Sequence, residues 1–223
     1  MKLSDADRQR IAAAIAAAEA NSNGEIVAVA TPISDPYHDV ALHWALIPLF
    51  AVLAWAAWAP TALVWWYDLL FGGWSPDPTL SQLFTLLMFF AALKFTIALL
   101  ILKWMPLRLV LTPAATKHRR VRRRAVTVFK AAAERRTAGR TGILIYLSMA
   151  ERRAEIVADE AILKVTDDHT WGEAMASLVG EVRQGRPADG IVAAIERVGT
   201  VLAEHFPRTA GDINEIPDKL IEL

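Results

Sequence analysis

Cysteine is absent from this sequence of 223 residues, so disulfides, thiolate catalysis and cysteine-ligated zinc are excluded. Several enzyme motifs are missing as well. The sequence has no P-loop, no glycine-rich dinucleotide fingerprint and no G-x-S-x-G nucleophile elbow. A serine such as Ser148 has no base close to it in the sequence. These absences leave little support for nucleophilic catalysis.

Charge is absent from one long stretch of the chain. Residues 40–67 contain no Asp, Glu, Lys or Arg, and residues 80–102 contain only Lys94. About 20 such residues are enough for a helix to cross the hydrocarbon core of a membrane. We therefore predict a transmembrane helical hairpin over residues 40–105, with helices at 40–67 and 80–104. Two buried helices of a soluble protein are the alternative interpretation.

Lysine and arginine near the two spans predict the orientation of the hairpin. The connecting loop has neither residue, whereas basic residues follow the second span directly and also occur near the N-terminus. Flanks of this kind are retained in the cytoplasm. We expect a multi-pass protein of the bacterial inner (plasma) membrane, with both termini cytoplasmic and no cleaved signal peptide.

The formal net charge of zero conceals two regions of opposite sign. Residues 103–140 hold 12 of the 24 basic residues and a single acid, while residues 151–223 hold 15 of the 24 acids. We predict that a basic belt contacts the anionic lipids of the inner leaflet. RNA is the weaker alternative, and we expect no nucleic-acid partner. The belt residues are Lys117, Arg119, Arg120, Arg122, Arg123 and Arg124.

The segments on either side of the hairpin predict an α/β domain. Residues 25–31 (EIVAVAT) and 141–147 (TGILIYL) are apolar and rich in β-branched side chains, as strands buried on both faces are. Residues 153–158 follow the second strand after a tight turn and predict an antiparallel pair. Residues 1–39 and 106–223 should therefore meet in one small mixed β-sheet with helices packed on it. Helices are predicted from Ser4, from Thr112–Pro113, over 171–184 and over 187–205.

These segments resemble the TPM domain, in the bacterial membrane-bound branch that carries two spans inside the domain. The resemblance rests on GEIVAVAT, on ILIYLSMAERRAEIVAD, and on HFP followed by D-x-N-E-x-P-D. It implies a compact α/β fold, divalent-metal binding at an acidic edge in some members, and the acid-phosphatase activity of plant thylakoid relatives. For some bacterial members it implies association with membrane complexes.

The loop after the strand hairpin departs from the pattern of the soluble relatives. Where they have a G-x-G-L-E-G-x-L-T-D turn, residues 158–167 read ADEAILKVTD, without glycine. Asp159, Glu160 and Asp167 are the candidates for a Ca²⁺ or Mg²⁺ site, which needs several convergent oxygen ligands. Glu25 and Asp35, which flank the first strand, could contribute. Capping of helix starts by these acids is the alternative.

Two further groups of polar residues are candidates for function. Lys94 is the one charged residue inside a span, where ionisable groups are by default functional candidates. Its pairing with His43 or with a partner subunit competes with snorkelling toward the headgroups. An oxygen-rich cluster, for which a solvated tail is the alternative, consists of His205, Asp212, Asn214 and Glu215, with Asp218 nearby.

The leading prediction is an accessory or assembly subunit that binds other membrane proteins at the cytoplasmic face of the inner membrane. The alternative is a divalent-metal-dependent phosphatase that acts at the membrane surface through Asp159, Glu160 and Asp167. Convergence of these carboxylates in an open cleft would favour the enzyme.

Overall fold

A computed structural model describes residues 3–72, 77–132, 141–166, 168–209 and 216–223. The chain forms two units: an α/β unit from residues 1–35 and 114–223, and a helical hairpin unit from residues 36–113. The hairpin unit is therefore an insertion in the α/β unit. The elements, in chain order, are α1 (Asp5–Glu19), β1 (Glu25–Thr31), α2 (His38–Trp58), α3 (Pro60–Phe71), α4 (Leu80–Ile101), α5 (Met105–Leu111), α6 (Ala114–Ala132), β2 (Gly142–Ser148), β3 (Arg153–Ala158), α7 (Glu160–Leu163), α8 (Asp168–Arg183), α9 (Pro187–His205) and β4 (Ile221–Glu222).

The four strands form one mixed sheet in the order β3-β2-β1-β4. β1 pairs in parallel with β2, from Glu25 opposite Gly142 to Thr31 opposite Ser148. β2 pairs antiparallel with β3, and β4 runs parallel to β1. Because β1 precedes the hairpin unit and β2 follows it, the two halves of the α/β unit meet inside one sheet. The predicted fold class, a small mixed sheet with helices, is confirmed.

Helices cover both faces of this sheet. Ile26 and Ala28 of β1 lie in a cluster with apolar side chains of α1, α8 and α9. Val27 and Val29, which alternate with them along the strand, pack against α6 on the other face. Every residue of β1 and β2 is buried, as their uninterrupted apolar character predicted.

Helix α1 begins as its sequence predicts. The Ser4 hydroxyl accepts a hydrogen bond from Asp7 N at 3.1 Å, and Asp7 Oδ2 accepts one from Ser4 N at 3.0 Å. This reciprocal capping box satisfies amide groups that have no partner within the helix. Ile11 and Ile15, one turn apart, are fully buried in the core.

The C-terminal tail contains more structure than the prediction of an irregular tail allowed. Ile216 is buried, and β4 adds two residues to the sheet beside Val29 and Ala30. So short a strand has no periodic pattern of its own, because its pairing depends on β1. Helix α7, which follows β3 directly, was not predicted either. The end of α6, predicted near residues 137–139, lies outside the described residues.

The hairpin unit differs from the prediction in its first span. Residues 40–67 do not form one helix, since α2 ends at Trp58 and α3 begins at Pro60. Proline has no amide hydrogen and favours the first turn of a helix, and it keeps the preceding residue out of helical geometry. Ala59 accordingly has φ −130° and ψ 68°. The second predicted helix, residues 80–104, corresponds to α4, which begins at Leu80 and ends at Ile101. The short helix α5 was not predicted.

Two helices of this unit, α2 and α4, are long and apolar enough to span a membrane. Their most apolar windows are only 22% and 11% buried, whereas the core helix of a soluble protein is mostly buried. Side chains such as Phe50, Phe84 and Met88 are exposed. Length, composition and exposure together support membrane association.

A buried arginine connects the beginning and the end of the hairpin unit. Arg108 of α5 donates to the carbonyl oxygens of Pro36 at 2.6 Å and Lys103 at 3.0 Å, and its Nη1 lies 3.2 Å from His38 Nδ1. These bonds connect the start of α2 to the segment after α4. Arg108 thus stabilises the hairpin unit rather than extending the exposed basic surface.

Candidate functional site

Buried carboxylates gather at the edge of the sheet where β1 and β2 begin. Glu25 is the first residue of β1, and Asp159 directly follows β3, which ends at this edge because it is antiparallel to β2. Glu19, at the end of α1, is also buried. Asp218 from the tail interacts with Glu19. We call Glu19, Glu25, Asp159 and Asp218 the acidic edge.

Asp159 has a structural partner at this edge. Its Oδ2 accepts a hydrogen bond from Gly142 N at 2.9 Å, and its own amide donates to the Gly142 carbonyl oxygen at 2.9 Å. Asp159 occupies the N-cap position of α7, but its side chain makes no capping hydrogen bond there. The carboxylate therefore fixes the first residue of β2.

Of the other two residues of the predicted metal site, Glu160 does not join Asp159. Glu160 is exposed and forms an ion pair with Lys164 at 2.9 Å, one turn along the chain. Asp167 lies outside the described residues. Within the described ranges, no group of three or more His, Asp or Glu side chains is arranged to hold a metal ion.

Glu19 has a strongly perturbed ionisation. The pKa of Glu19 is raised to about 8. Burial is the largest cause, the hydrogen bond from Ile26 N lowers the pKa, and the neighbouring carboxylates of Glu25 and Asp218 add to the rise. That bond, to Oε1, is 2.7 Å long. Glu19 Oε2 has no hydrogen-bond partner with suitable geometry among the described residues. A protonated carboxyl group at neutral pH removes one charge from a crowded acidic region.

The described end of the C-terminal tail is attached to the acidic edge. Ile216 N donates to Glu25 Oε2 at 3.1 Å, which attaches the tail to the start of β1. Asp212, Asn214 and Glu215 lie outside the described residues. His205 is exposed in the last turn of α9.

A second polar group lies at the opposite edge, where β1 and β2 end. Glu151 accepts hydrogen bonds from the Ser148 hydroxyl and, at 3.0 Å, from Ser34 N. Ser148 thus has an acidic partner three residues away that the sequence interpretation missed. Because Ser148 is fully buried, its hydroxyl is closed to substrate. Asp35 is also near this end, paired with Arg120 at 2.7 Å, and so lies far from Asp159.

The basic residues of α6 have two environments. Arg120 pairs with Asp35, and Arg122 lies 3.6 Å from the buried carboxylate of Glu155. Burial raises the pKa of Glu155, and the positive charges of His118 and Arg122 oppose that shift. The remaining belt arginines are exposed, and two of them line a shallow groove of about 510 Å³. The basic residues lining this groove are His118, Arg119, Arg122, Arg123 and Lys130.

Lys94 lines a cleft within the hairpin unit. The cleft has a volume of about 530 Å³, and its other lining residues are Pro48, Ala51, Val52, Trp55, Trp66, Phe90 and Leu93. Within the described part of the chain, the Lys94 ammonium group has no hydrogen-bond or ion-pair partner. His43 Nδ1 instead lies 2.6 Å from the Asp39 carbonyl oxygen, one turn earlier in α2.

Comparisons with known proteins assign a domain family to part of the chain. The family model described as TPM domain matches residues 105–201. This chain contains a TPM domain. The match begins after the spans and omits β1, although β1 lies inside the sheet. The inserted hairpin unit separates β1 from the matched region along the chain.

A solved structure supports the fold of this TPM domain protein. The NMR structure of the BA42 protein from the psychrophilic bacterium Bizionia argentinensis is similar, with a TM-score of 0.56 and 18% sequence identity. The alignment covers 100% of this chain and 97% of that one. No curated protein matches the sequence. The family found here is the one that the sequence resembles.

The sequence did not indicate a role at the acidic edge for two of its residues. Glu19, at the end of an alanine-rich helix, carried no site prediction, and Asp218 was placed with the tail cluster. A glutamate one helical turn beyond the buried Ile15 was the available signal, because residues four apart lie on the same helix face.

Proposed function

We propose that this TPM-domain protein is an accessory or assembly subunit that is anchored in the bacterial inner membrane and binds another membrane protein at the cytoplasmic face. The main support for this proposal is the environment of Lys94. This lysine is a cation in an apolar span, it lines an open cleft, and neither α2 nor α4 provides an acid within its apolar interior. A partner helix that carries a carboxylate would fill the cleft and neutralise the charge.

The position of Lys94 in α4 supports this reading. Lys103 is nine residues further along the chain, about 13 Å away on a helix. A lysine side chain spans about half of that distance, so snorkelling alone leaves the ammonium group below the headgroups. Insertion scales put the cost of a lysine at the centre of a span at about 2.5–3.5 kcal/mol. Pairing with a buried carboxylate offsets that cost.

Purification of the intact protein from its native membrane tests the proposal. We expect a partner at fixed stoichiometry with wild-type protein and with Lys94→Arg, and loss of that partner with Lys94→Met. Lys103→Met is the matched control, since it removes the same charge outside the cleft. A wild-type protein that purifies alone, or a Lys94→Met variant that keeps the partner, would contradict the proposal.

Anionic lipid is the proposed ligand of the exposed part of the basic belt. Arg119 and Arg123 line the α6 groove, and each basic residue near an anionic surface contributes about 1 kcal/mol. Both termini would then lie in the cytoplasm, where anionic lipids are exposed. Protease digestion of sealed inverted vesicles should cleave the α/β unit and spare the hairpin turn.

A divalent-metal-dependent phosphatase is the second candidate. The name attached to the family model, TPM phosphatase, and the acidic edge favour it. Two observations weigh against it, because the side chains concerned already have partners. Asp159 accepts a hydrogen bond from Gly142 N, and Glu160 forms an ion pair with Lys164. Phosphomonoester hydrolysis with and without Mg²⁺ or Ca²⁺ tests it. A metal-dependent rate that Glu25→Gln abolishes would support the phosphatase function. A rate no higher than background would contradict it.

A further inference from the structure

A small cavity lined by arginine lies beside the turn that joins β2 to β3 in the α/β unit. Its volume is about 360 Å³, within the range of small-molecule pockets. The lining residues are Glu151, Arg152, Arg153, Ala154, Val179 and Arg183. We propose that this arginine cavity binds a phosphate group, either free or as part of a phosphomonoester, and that it is a binding site without catalytic carboxylates.

The charge of the arginine cavity selects an anion with more than one negative charge. Three arginines and one glutamate line the cavity, so positive charge is in excess there, although the charge of Arg153 also acts on Glu155 of the same strand. Within the described part of the chain, the side chains of Arg152 and Arg183 have no hydrogen-bond or ion-pair partner. Guanidinium groups bind phosphate oxygens through paired, charge-assisted hydrogen bonds. A phosphate dianion matches both the charge and the donors.

Glu151 does not block such a ligand. One of its carboxylate oxygens accepts from Ser34 N at 3.0 Å and the other accepts from the Ser148 hydroxyl. The side chain is buried, so its charge is held in the wall of the cavity and fixes the turn from which Arg152 projects. Glu151 therefore acts as a positioning residue in the proposed site.

The backbone at Arg152 supports a functional role for the turn. Arg152 has φ 50°, in the left-handed region that favours glycine, and its amide donates to the Met149 carbonyl oxygen at 3.2 Å. Non-glycine residues in this conformation cost stability and cluster at ligand-binding sites. A glycine here would relieve the strain but would remove the guanidinium group.

The arginine cavity is separate from the acidic edge. Arg153 begins β3 and Asp159 follows its end, so the strand places them about 20 Å apart. A phosphate bound at one edge of the sheet is out of reach of carboxylates at the other. The inference therefore goes beyond the proposed partner-binding function and does not depend on the phosphatase alternative.

Calorimetric titration of the full-length protein tests the site. The protein is placed in nanodiscs of neutral phosphatidylcholine, and inorganic phosphate is the probe. We expect saturable binding that Arg152→Gln and Arg183→Gln each weaken about tenfold or more. Arg197→Gln is the matched control, because it removes the same charge from an exposed residue of α9 that pairs with Glu173 outside the cavity. Circular dichroism verifies that each variant is folded.

A second series of nanodiscs distinguishes the two sources of the phosphate group. Phosphatidic acid presents a phosphomonoester, and phosphatidylserine presents a phosphodiester with a carboxylate. Binding of free phosphate that depends on both arginines supports a soluble ligand. Stronger binding to phosphatidic acid than to phosphatidylserine, lost in the same variants, supports a lipid headgroup. No binding in either series, or binding that the control weakens equally, would overturn the proposal.

Discussion

Glu19 illustrates how an ordinary residue type acquires an unusual ionisation from its neighbours. It lies at the end of α1, buried, with Glu25 and Asp218 close by. The sequence predicts the helix and its capping box because both depend on residues a few positions apart. It does not predict the pKa of Glu19, since the three acids come from helix, strand and tail. Site chemistry of this kind depends on long-range packing.

We predict that Glu19 makes the α/β unit less stable as the pH rises. The pKa of Glu19 is about 8 in the folded protein, compared with 4.5 for an unperturbed glutamate. Its contribution is therefore fully present below pH 4.5 and is lost as the pH rises to about 8, with a slope of at most about 1.4 kcal/mol per pH unit. Glu19→Gln should abolish this slope. Urea denaturation in mild detergent at several pH values measures it.

Glu204→Gln is the control for this measurement, because Glu204 is exposed on α9 and should not change the slope. Equal slopes for wild type and Glu19→Gln between pH 5 and 8 would show that Glu19 is ionised throughout that range.

Asp159 allows a second prediction at the residue scale. If it serves mainly to hold Gly142 N, Asp159→Ala should lower stability by about 1–3 kcal/mol, because it leaves a buried amide without an acceptor. Asp159→Asn keeps an acceptor oxygen and should cost less. Thermal unfolding, with and without added Ca²⁺, compares the two variants. A Ca²⁺-dependent rise in Tm that both variants lose would instead indicate a metal ligand.

Helices and strands could be predicted where the sequence pattern that indicates them lies within the helix or strand itself. The apolar runs of β1 and β2, the turn before β3 and Pro187 at the start of α9 gave element type and position, because each signal lies within the element. The break between α2 and α3 was missed, although Pro60 marks it, since hydropathy alone made residues 40–67 look continuous. β4 had no local signal at all.

The contact between α1 and α9 yields a prediction about packing. A Cβ atom at Gly199 of α9 would lie 2.6 Å from Ala18 Cβ of α1, well inside normal contact distance. Gly199→Ala should therefore force the helices apart and destabilise the unit by about 1–3 kcal/mol. Gly180 of α8 has nothing within 4 Å of the same position, so Gly180→Ala should be neutral or stabilising by up to about 1 kcal/mol. Urea midpoints measure both.

At the scale of the whole molecule, the hairpin unit interrupts the α/β unit along the chain. β1 forms seven residue pairs with β2 across an insertion of residues 36–113. The sequence predicted that these two strands lie in one sheet. The segments EIVAVAT and TGILIYL are apolar on both faces, so each strand needs helices packed on both sides. The cavity and the acidic edge were beyond prediction because they join residues from both sides of the insertion or from separate elements.

The α/β unit should therefore fold when the hairpin is replaced by a short linker. Asp35 Oδ1 lies 2.7 Å from Arg120 Nη1, and Arg120 is about 9 Å along α6 from Ala114. With the reach of the two side chains, Asp35 and Ala114 are at most about 20 Å apart. A linker of about 12 glycine and serine residues has a typical end-to-end distance of about 19 Å. Residues 1–35 joined in this way to 114–223 should give a soluble, folded protein.

Residues 114–223 alone are the matched control for this fusion. They lack β1, so β2 and β4 have no strand between them and the two apolar clusters lose Ile26, Val27, Ala28 and Val29. Full burial of a side chain such as Val or Ile contributes about 1.5–3 kcal/mol, which is a large part of the stability of a small domain. We expect the control to be unfolded or aggregated, while amide exchange in the fusion is slowest in β1 and β2. A control that folds as well as the fusion would mean that residues 1–35 are an accessory segment and that the hairpin precedes the domain instead of interrupting it.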